Sequence, residues 1–313
     1  MKRNQTHVTE FILIGFSMFP DLQPFLFVTF FILYILTLMG NALIMTVIGY
    51  DRSLHVPMYI FLFALSVSET FYGFVVVPKM LVNLVSDSKT ISFAGCTAQM
   101  IFFLGLGATN CLILTIMGYD RFLAICYPLC YPVLMNVRVI AWLIAVSGVG
   151  GFLISLSEAA MVFSLPYCSS NTINHFLCHM LSVAKLACSD DNTAQVIISV
   201  FPTAVLATSI LLIMLTYIFI INTILHFPST ESRQKVFSTC ASHLTVVIVH
   251  YGFAAVACFK SSIMDALGND TLMSVPYTII TPFLSPIIFT LRNKDIKVAV
   301  KKLFNPKILS SKI

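Results

Sequence analysis

From Ile91 to Tyr119 the chain holds no Asp, Glu, Lys or Arg, and then Asp120 and Arg121 arrive side by side in MGYDRFLAIC. A carboxylate beside a guanidinium at the end of an apolar run can hold one conformation as an ion pair and release it in another. The plainer reading is an arginine that anchors the end of the run. Glu69 and Glu158 are also isolated acids in long apolar stretches. An ionisable group in such surroundings is costly and usually functional. Asn41, Asn110 and Ser285 stand at similar depth in their own runs and, with Glu69, predict one polar cluster: a hydrogen-bonded knot, a cation bed, or both. Glu158 falls toward the end of its run and is expected to reach water. His243 and His250 are seven residues apart on one helical face. No third ligand type is near them, so no metal site is predicted.

The elements that position these residues follow from composition. Of the 313 residues, 58% are hydrophobic and 10% charged, with a mean hydropathy of +0.94. A soluble domain carries roughly 25% charged residues, so the chain cannot cover a water-facing surface. Leu22–Tyr50, Asn192–Thr230, Val236–Phe259 and Thr271–Leu291 carry no charge, residues 53–78 carry only Glu69, and 139–184 only Glu158. A bilayer crossing needs about 20 mostly apolar residues, with backbone groups satisfied inside a helix. The runs predict an all-α membrane protein with seven spans at 25–49, 57–82, 96–127, 139–162, 194–225, 236–259 and 271–291. Residues 1–24 precede this bundle and 292–313 follow it. The odd connections and the tail hold 12 Lys and Arg, and the opposite face 6. The positive-inside rule then puts the tail in the cytoplasm and the N-terminus outside. The net charge of +5 is a topology signal rather than a nucleic-acid one. No cleavable signal peptide is visible, and the first span is expected to insert the chain. Asn4 opens a glycosylation sequon on the expected outer side, and Asn269 opens another close to the membrane.

Most loops are short. The connection between the fourth and fifth spans is long and holds Cys168, Cys178 and Cys188, while Cys96 opens the third span on the same side. Four cysteines in an oxidising compartment predict two disulfides, with three pairings open. Cys111, Cys126, Cys130, Cys240 and Cys258 read as packed apolar residues. After Leu291, RNKDIKVAVKKLF places Ile296, Val300 and Leu303 near one helical face among lysines, a short amphipathic helix on the inner leaflet. No cysteine follows Cys258 to anchor the tail by a lipid. Pro78, Pro202, Pro276, Pro282 and Pro286 lie in or at the ends of spans, where each removes a backbone donor and invites a kink.

Six segments resemble the olfactory receptors, a branch of the rhodopsin-like G-protein-coupled receptors: GN at 40–41, LHVPMYIFL at 54–62, MGYDRFLAICYPL at 117–129, TYIFIINTIL at 216–225, KVFSTCASHLTVV at 235–247 and PIIFTLRNK at 286–294. The likeness runs from about residue 10 to 305. It implies a seven-helix bundle with a short eighth helix, Cys96 paired with Cys178, and Cys168 with Cys188. It makes Arg121, beside Asp120, the inner switch that engages a stimulatory olfactory-type G protein and raises cyclic AMP, with Tyr217 and His243 near it. It places an odorant pocket at Phe103, Leu104, Gly107, Ala108, Phe201, Val205, Tyr251, Ala254, Ala255, Cys258, Ser274 and Thr278. Those residue types suit a small, neutral, mostly apolar ligand with one hydrogen-bonding group. The chain departs from the family pattern at Ser285 and Phe289, where Asn and Tyr are usual, and at Asn110, Phe122 and Gly148, where Glu, Tyr and Trp are usual. Losing the Asn and the Tyr hydroxyl removes polar contacts from the switch and implies weaker coupling or a shifted resting state.

Other classes fit less well. A retinal-based light sensor needs a lysine in the seventh span, and 271–291 has none. An amine receptor wants an acid in the outer half of the third span, and Thr97–Tyr119 has none. No repeated halves suggest a transporter, no charge ring a channel, and no catalytic cluster or cofactor motif an enzyme.

Overall fold

The computed structural model describes residues 8–167, 171–188, 192–227, 229–263 and 270–304. Asn4 and Cys168 lie outside them, as does the side chain of Cys258. Seven long helices form the bundle. They are α1 (Gln23–Tyr50), α2 (Pro57–Val85), α3 (Phe93–Cys126), α4 (Val137–Phe163), α5 (Asn192–Leu225) and α6 (Thr230–Ile263), with α7 in three consecutive pieces, Asp270–Val275, a π-helical turn Pro276–Ile280 and Thr281–Arg292. The amphipathic α8 (Lys294–Phe304) closes the described chain.

Each helix overlaps one of the long apolar runs, but its ends are set by caps. Ser92 Oγ accepts the Gly95 N–H at 3.1 Å and starts α3, and Asn136 Oδ1 accepts the Val139 N–H at 3.1 Å and starts α4. Proline opens α2, where its missing N–H costs nothing. Pro78, Pro202 and Pro286 are inside helices, and Pro276 opens the π-helical turn, a feature frequent at functional sites. Among the described residues six helices are long and apolar enough to cross a membrane, and α6 adds a shorter apolar stretch, Cys240–Val256. Phe25, Phe31, Met39, Trp142, Ile218, Phe219 and Ile248 are 46–68% exposed. A belt of large apolar side chains facing outward is tolerable only in lipid.

α3 runs through the centre and packs most closely on α4. A Cβ on Gly151 would stand 2.5 Å from Thr109 Oγ1 and 2.7 Å from the Gly105 carbonyl oxygen. Only glycine lets these helices approach so far. On this face of α4 lie Ser155, Glu158 and Val162, all buried. Glu158 is 1% exposed and does not reach water, contrary to the expectation from its place near the run's end. Helical phase turns it into the bundle, and its Oε1 has no hydrogen-bond partner among the described residues.

On the face opposite α8, here the N-terminal face, three short strands form a sheet of order β2-β1-β3. Strand β1 (Glu10–Leu13) pairs antiparallel with β2 (Thr90–Ser92) and parallel with β3 (Thr172–Ile173). The N-terminal segment is thereby sewn to the α2–α3 connection and the long α4–α5 loop. Gly15 follows at φ 48°, and a Cβ there would meet the Phe176 backbone at 3.0 Å. Phe16 stacks on Phe176 with ring centroids 5.5 Å apart. The Cys96–Cys178 disulfide ties the same loop to α3. Cys188 is also disulfide-bonded, and its expected partner, Cys168, lies outside the described residues.

Candidate functional site

On the N-terminal half, α3, α6 and α7 converge. Phe103 is 5% exposed and packs on Tyr72 at 5.3 Å. A Cβ on Gly107 would stand 3.3 Å from Tyr277 Oη, so Tyr277 occupies the room Gly107 leaves. Tyr251 donates to the Cys111 carbonyl oxygen at 3.1 Å, and the Thr278 hydroxyl to the Ser274 carbonyl oxygen at 2.6 Å. Ala254 is buried, while Leu104, Ala108, Val205 and Ala255 are half-buried. Phe201 is 41% exposed and, like Val205, belongs to none of the three buried clusters.

The structure adds polar residues that the sequence reading did not place here. Cys111 Sγ lies 3.5 Å from His250 Nε2, whose ring meets Tyr277 edge-on at 5.7 Å. Tyr72 Oη is buried without a hydrogen-bond partner among the described residues. Their common signal is a polar tip within an apolar stretch of helix. His175, in the long loop, roofs this region and lies 2.9 Å from Ser274 Oγ. Burial, with His179 beside it, holds its imidazole well below the usual histidine range. The ring is therefore neutral: Nδ1 accepts the Leu177 N–H at 3.2 Å, and Nε2–H donates to Ser274.

Midway down, Asn41, Glu69, Asn110 and Ser285 are 0–4% exposed, and Glu69 faces Ser285 and Asn41. The Asn110 Oδ1 has no hydrogen-bond partner among the described residues. The group can accept water or another small polar guest.

At the other end of α3, Asp120 is fully buried and shared. Its Oδ2 takes Arg121 Nη2 at 3.0 Å, and its Oδ1 takes the Tyr131 hydroxyl at 2.8 Å. Burial, then the Asp120 charge, pushes the Tyr131 hydroxyl pKa up, so it stays a donor. One turn deeper, His243 Nε2 lies 3.0 Å from the Leu114 carbonyl oxygen. That carbonyl requires Nε2–H, so the Tyr217 hydroxyl donates to Nδ1, at 2.8 Å. These bonds join α3, α5 and α6. Arg292 Nη1 donates to Thr245 Oγ1 at 2.5 Å and joins α7 to α6. Beneath, the Tyr59 hydroxyl lies 2.7 Å from Asp295 Oδ2 and 3.1 Å from Asn293 Oδ1, and Lys302 pairs with Asp51 at 2.9 Å. Hydrogen bonds from Lys302 and then Ser53 lower the Asp51 carboxyl pKa to about 2. The helix ends on this face are thus tied to one another.

The olfactory receptor family model matches residues 30–307. The chain belongs to the olfactory receptor family. Human olfactory receptor 10X1 is 55% identical over 312 residues, spanning 100% of this chain and 95% of that protein. Human olfactory receptors 10R2 and 10H1 are 49% and 50% identical, over 98% and 99% of this chain and 92% and 98% of their own length. Squid rhodopsin superposes with a TM-score of 0.73 at 16% identity, over 93% of this chain and 83% of that one. This olfactory receptor is therefore a multi-pass membrane protein with the seven-helix fold of the G-protein-coupled receptors, a receptor rather than an enzyme.

Proposed function

We propose that this receptor binds small, mostly apolar volatile odorants between α3, α5, α6 and α7, and activates a stimulatory olfactory-type G protein that raises cyclic AMP. The observation that carries the reading is the closed tail face, where Asp120, Tyr131 and Arg121 form one polar unit and Tyr217–His243–Leu114 clamps α6 to α3. Such a face opens only when those bonds break together, which gives two discrete states. Ligand that binds the open arrangement better shifts the population toward it, and by linkage the G protein raises ligand affinity.

The proposed ligand residues are Phe103, Leu104, Gly107, Ala108, Phe201, Val205, Tyr251, Ala254, Ala255, Cys258, Ser274 and Thr278. Residues 1–24 form the extracellular N-terminus, 25–291 the bundle, and 292–313 a cytoplasmic helix and tail on the lipid surface. The excess of Lys and Arg on the tail face supports this orientation. Asn4 is the proposed glycosylation site and Cys168–Cys188 the second disulfide.

The test is cyclic AMP in cells that express the receptor with the olfactory stimulatory G protein, across a panel of volatile odorants, with surface level read in the same cells. A concentration-dependent response that Arg121→Ala removes at equal surface level is expected. A response that survives the substitution sinks the switch assignment.

A further inference from the structure

We propose that Tyr72, on α2 and outside the odorant residues named above, donates the hydrogen bond that selects the ligand, and that the odorants taken are carbonyl compounds: aldehydes, ketones or esters. The inference rests on the odorant reading and adds to it the chemical class of the guest.

Tyr72 is 3% exposed, and its hydroxyl has no acceptor among the described residues. Native proteins pair the great majority of such buried groups, so the exception calls for a guest. The side chain reaches from α2 into the odorant region. Its ring centroid lies 5.3 Å from that of Phe103, and its Cε2 is 4.0 Å from where a Gly107 Cβ would stand. Its hydroxyl faces Tyr277 and Cys111. Other hydroxyls of the region are already engaged inside the protein. Tyr251 donates to the Cys111 carbonyl oxygen, Thr278 donates to the Ser274 carbonyl oxygen, and Ser274 Oγ accepts from His175. Tyr72 brings a donor for which the fold supplies no acceptor.

The guest must therefore accept. A carbonyl oxygen does so and carries no proton that needs a partner of its own. An alcohol adds an O–H, for which the side chains of Phe103 and Gly107 have no acceptor, and an unpaired buried hydroxyl weakens binding. A carboxylate adds a charge, and the proposed ligand residues include no Lys or Arg to meet it. Gly107 decides where the carbonyl enters. It puts no side chain there, and Tyr277 Oη, 3.3 Å from the position of the missing Cβ, closes the space. Tyr277 belongs to the π-helical turn Pro276–Ile280, the irregular part of α7. The carbonyl reaches Tyr72 by moving the Tyr277 side chain aside, so recognition by α2 and a push on α7 are one event.

The experiment uses the full-length receptor and Tyr72→Phe, which removes the hydroxyl and keeps the ring. Cyclic AMP is read in cells against octanal, methyl heptanoate, octanol and octene, which are matched in length. Melting temperature is read on receptor in lipid nanodiscs, alone and with each compound. At least one carbonyl compound is expected to act at lower concentration than octene. Tyr72→Phe should raise its half-maximal concentration roughly 3–10-fold, the worth of one hydrogen bond, and leave octene unchanged. Without ligand the variant should melt at the same temperature or higher, because it loses only an unpaired group. A fall in that temperature overturns the proposal, since the hydroxyl would then hold structural water. Equal losses for octanal and octene, or no loss for either carbonyl compound, also overturn it. A loss for octanol as large as that for octanal overturns the carbonyl class. Where cells stay silent, melting decides. A saturable rise with a carbonyl compound that Tyr72→Phe weakens supports the site. No rise with either carbonyl compound overturns it, and a rise with octene or octanol alone then leaves the odorant reading standing.

Discussion

At Asp120 one buried carboxylate serves two partners, Arg121 on Oδ2 and Tyr131 on Oδ1. Asp120→Asn removes the charge but keeps the shape. Hydrogen bonds to a charged group contribute ~1.5–3 kcal/mol, and Arg121, 14% exposed, retains part of its water screening. A loss of about 1–2 kcal/mol from the closed state is expected, a shift of roughly 5–30-fold toward the open one. Ligand-free cyclic AMP should rise at equal surface level, and an unchanged baseline would count against the lock. The acid–base pair was legible because it ends a charge-free run. Tyr131 was not, because it comes 11 residues later in a short turn whose position depends on the fold. His175 makes a second residue-scale case. Its ring is held neutral in the fold, whereas the unfolded chain takes a proton below about 6.5. Stability from this contact is therefore full above that pH and falls as the pH drops below it. Amide exchange at Leu177, corrected for intrinsic rate, should speed up between about pH 7.5 and 5.5. His175→Phe should remove that dependence. The stacked His179, at 5.1 Å, reinforces the same sign.

Among elements, the α3–α4 contact is the least forgiving. A side chain at Gly151 collides with Thr109 Oγ1 and with the Gly105 backbone, whereas Gly148 meets nothing within 4 Å. Overpacking typically costs 1–3 kcal/mol, more when backbone must move. Gly151→Val should sharply lower the ratio of surface to total receptor, and Gly148→Val should leave it near normal. Equal ratios would contradict the packing. The bundle helices were legible as long apolar runs with little or no charge, with ends displaced by caps such as Ser92 and Asn136. Glu158 was misplaced because depth was inferred from its distance to the run's end. The phase it shares with Gly151, Ser155 and Val162 turns it inward instead. The three-stranded sheet was not legible at all. Its strands have four, three and two residues, too short for an alternating pattern, and they pair across loops distant in sequence. Likewise Cys111, His250 and Tyr277 meet only once α3, α6 and α7 are assembled.

For the whole molecule, the question is what sets the balance between the closed and open bundles. The resemblance implies weak coupling or a shifted resting state from Ser285 and Phe289, and the place of Phe289 in the core turns that expectation into a test. Phe289 is 0% exposed and belongs to the buried core cluster that also holds Ile44, Leu62, Met117 and Ile296. That core draws on α1, α2, α3, α7 and α8. Any opening that moves α7 must draw it out of that core, and burial of a Phe side chain is worth ~1.5–3 kcal/mol. A hydroxyl placed there without a partner costs ~1–3 kcal/mol. Phe289→Tyr should thus destabilise the closed state by a similar amount, a population shift of roughly 5–150-fold. Basal cyclic AMP per surface receptor should rise, and half-maximal response should move to lower odorant concentration. Phe289→Leu separates the two components of this argument. It shrinks the core without adding a polar group, so it lowers stability through a cavity and reduces surface level. If Leu raises the basal signal as much as Tyr at matched surface level, loosened packing accounts for the bias. If only Tyr does so, the buried hydroxyl is the cause, and adding Ser285→Asn should raise the odorant-stimulated maximum further by restoring a polar partner beside Glu69.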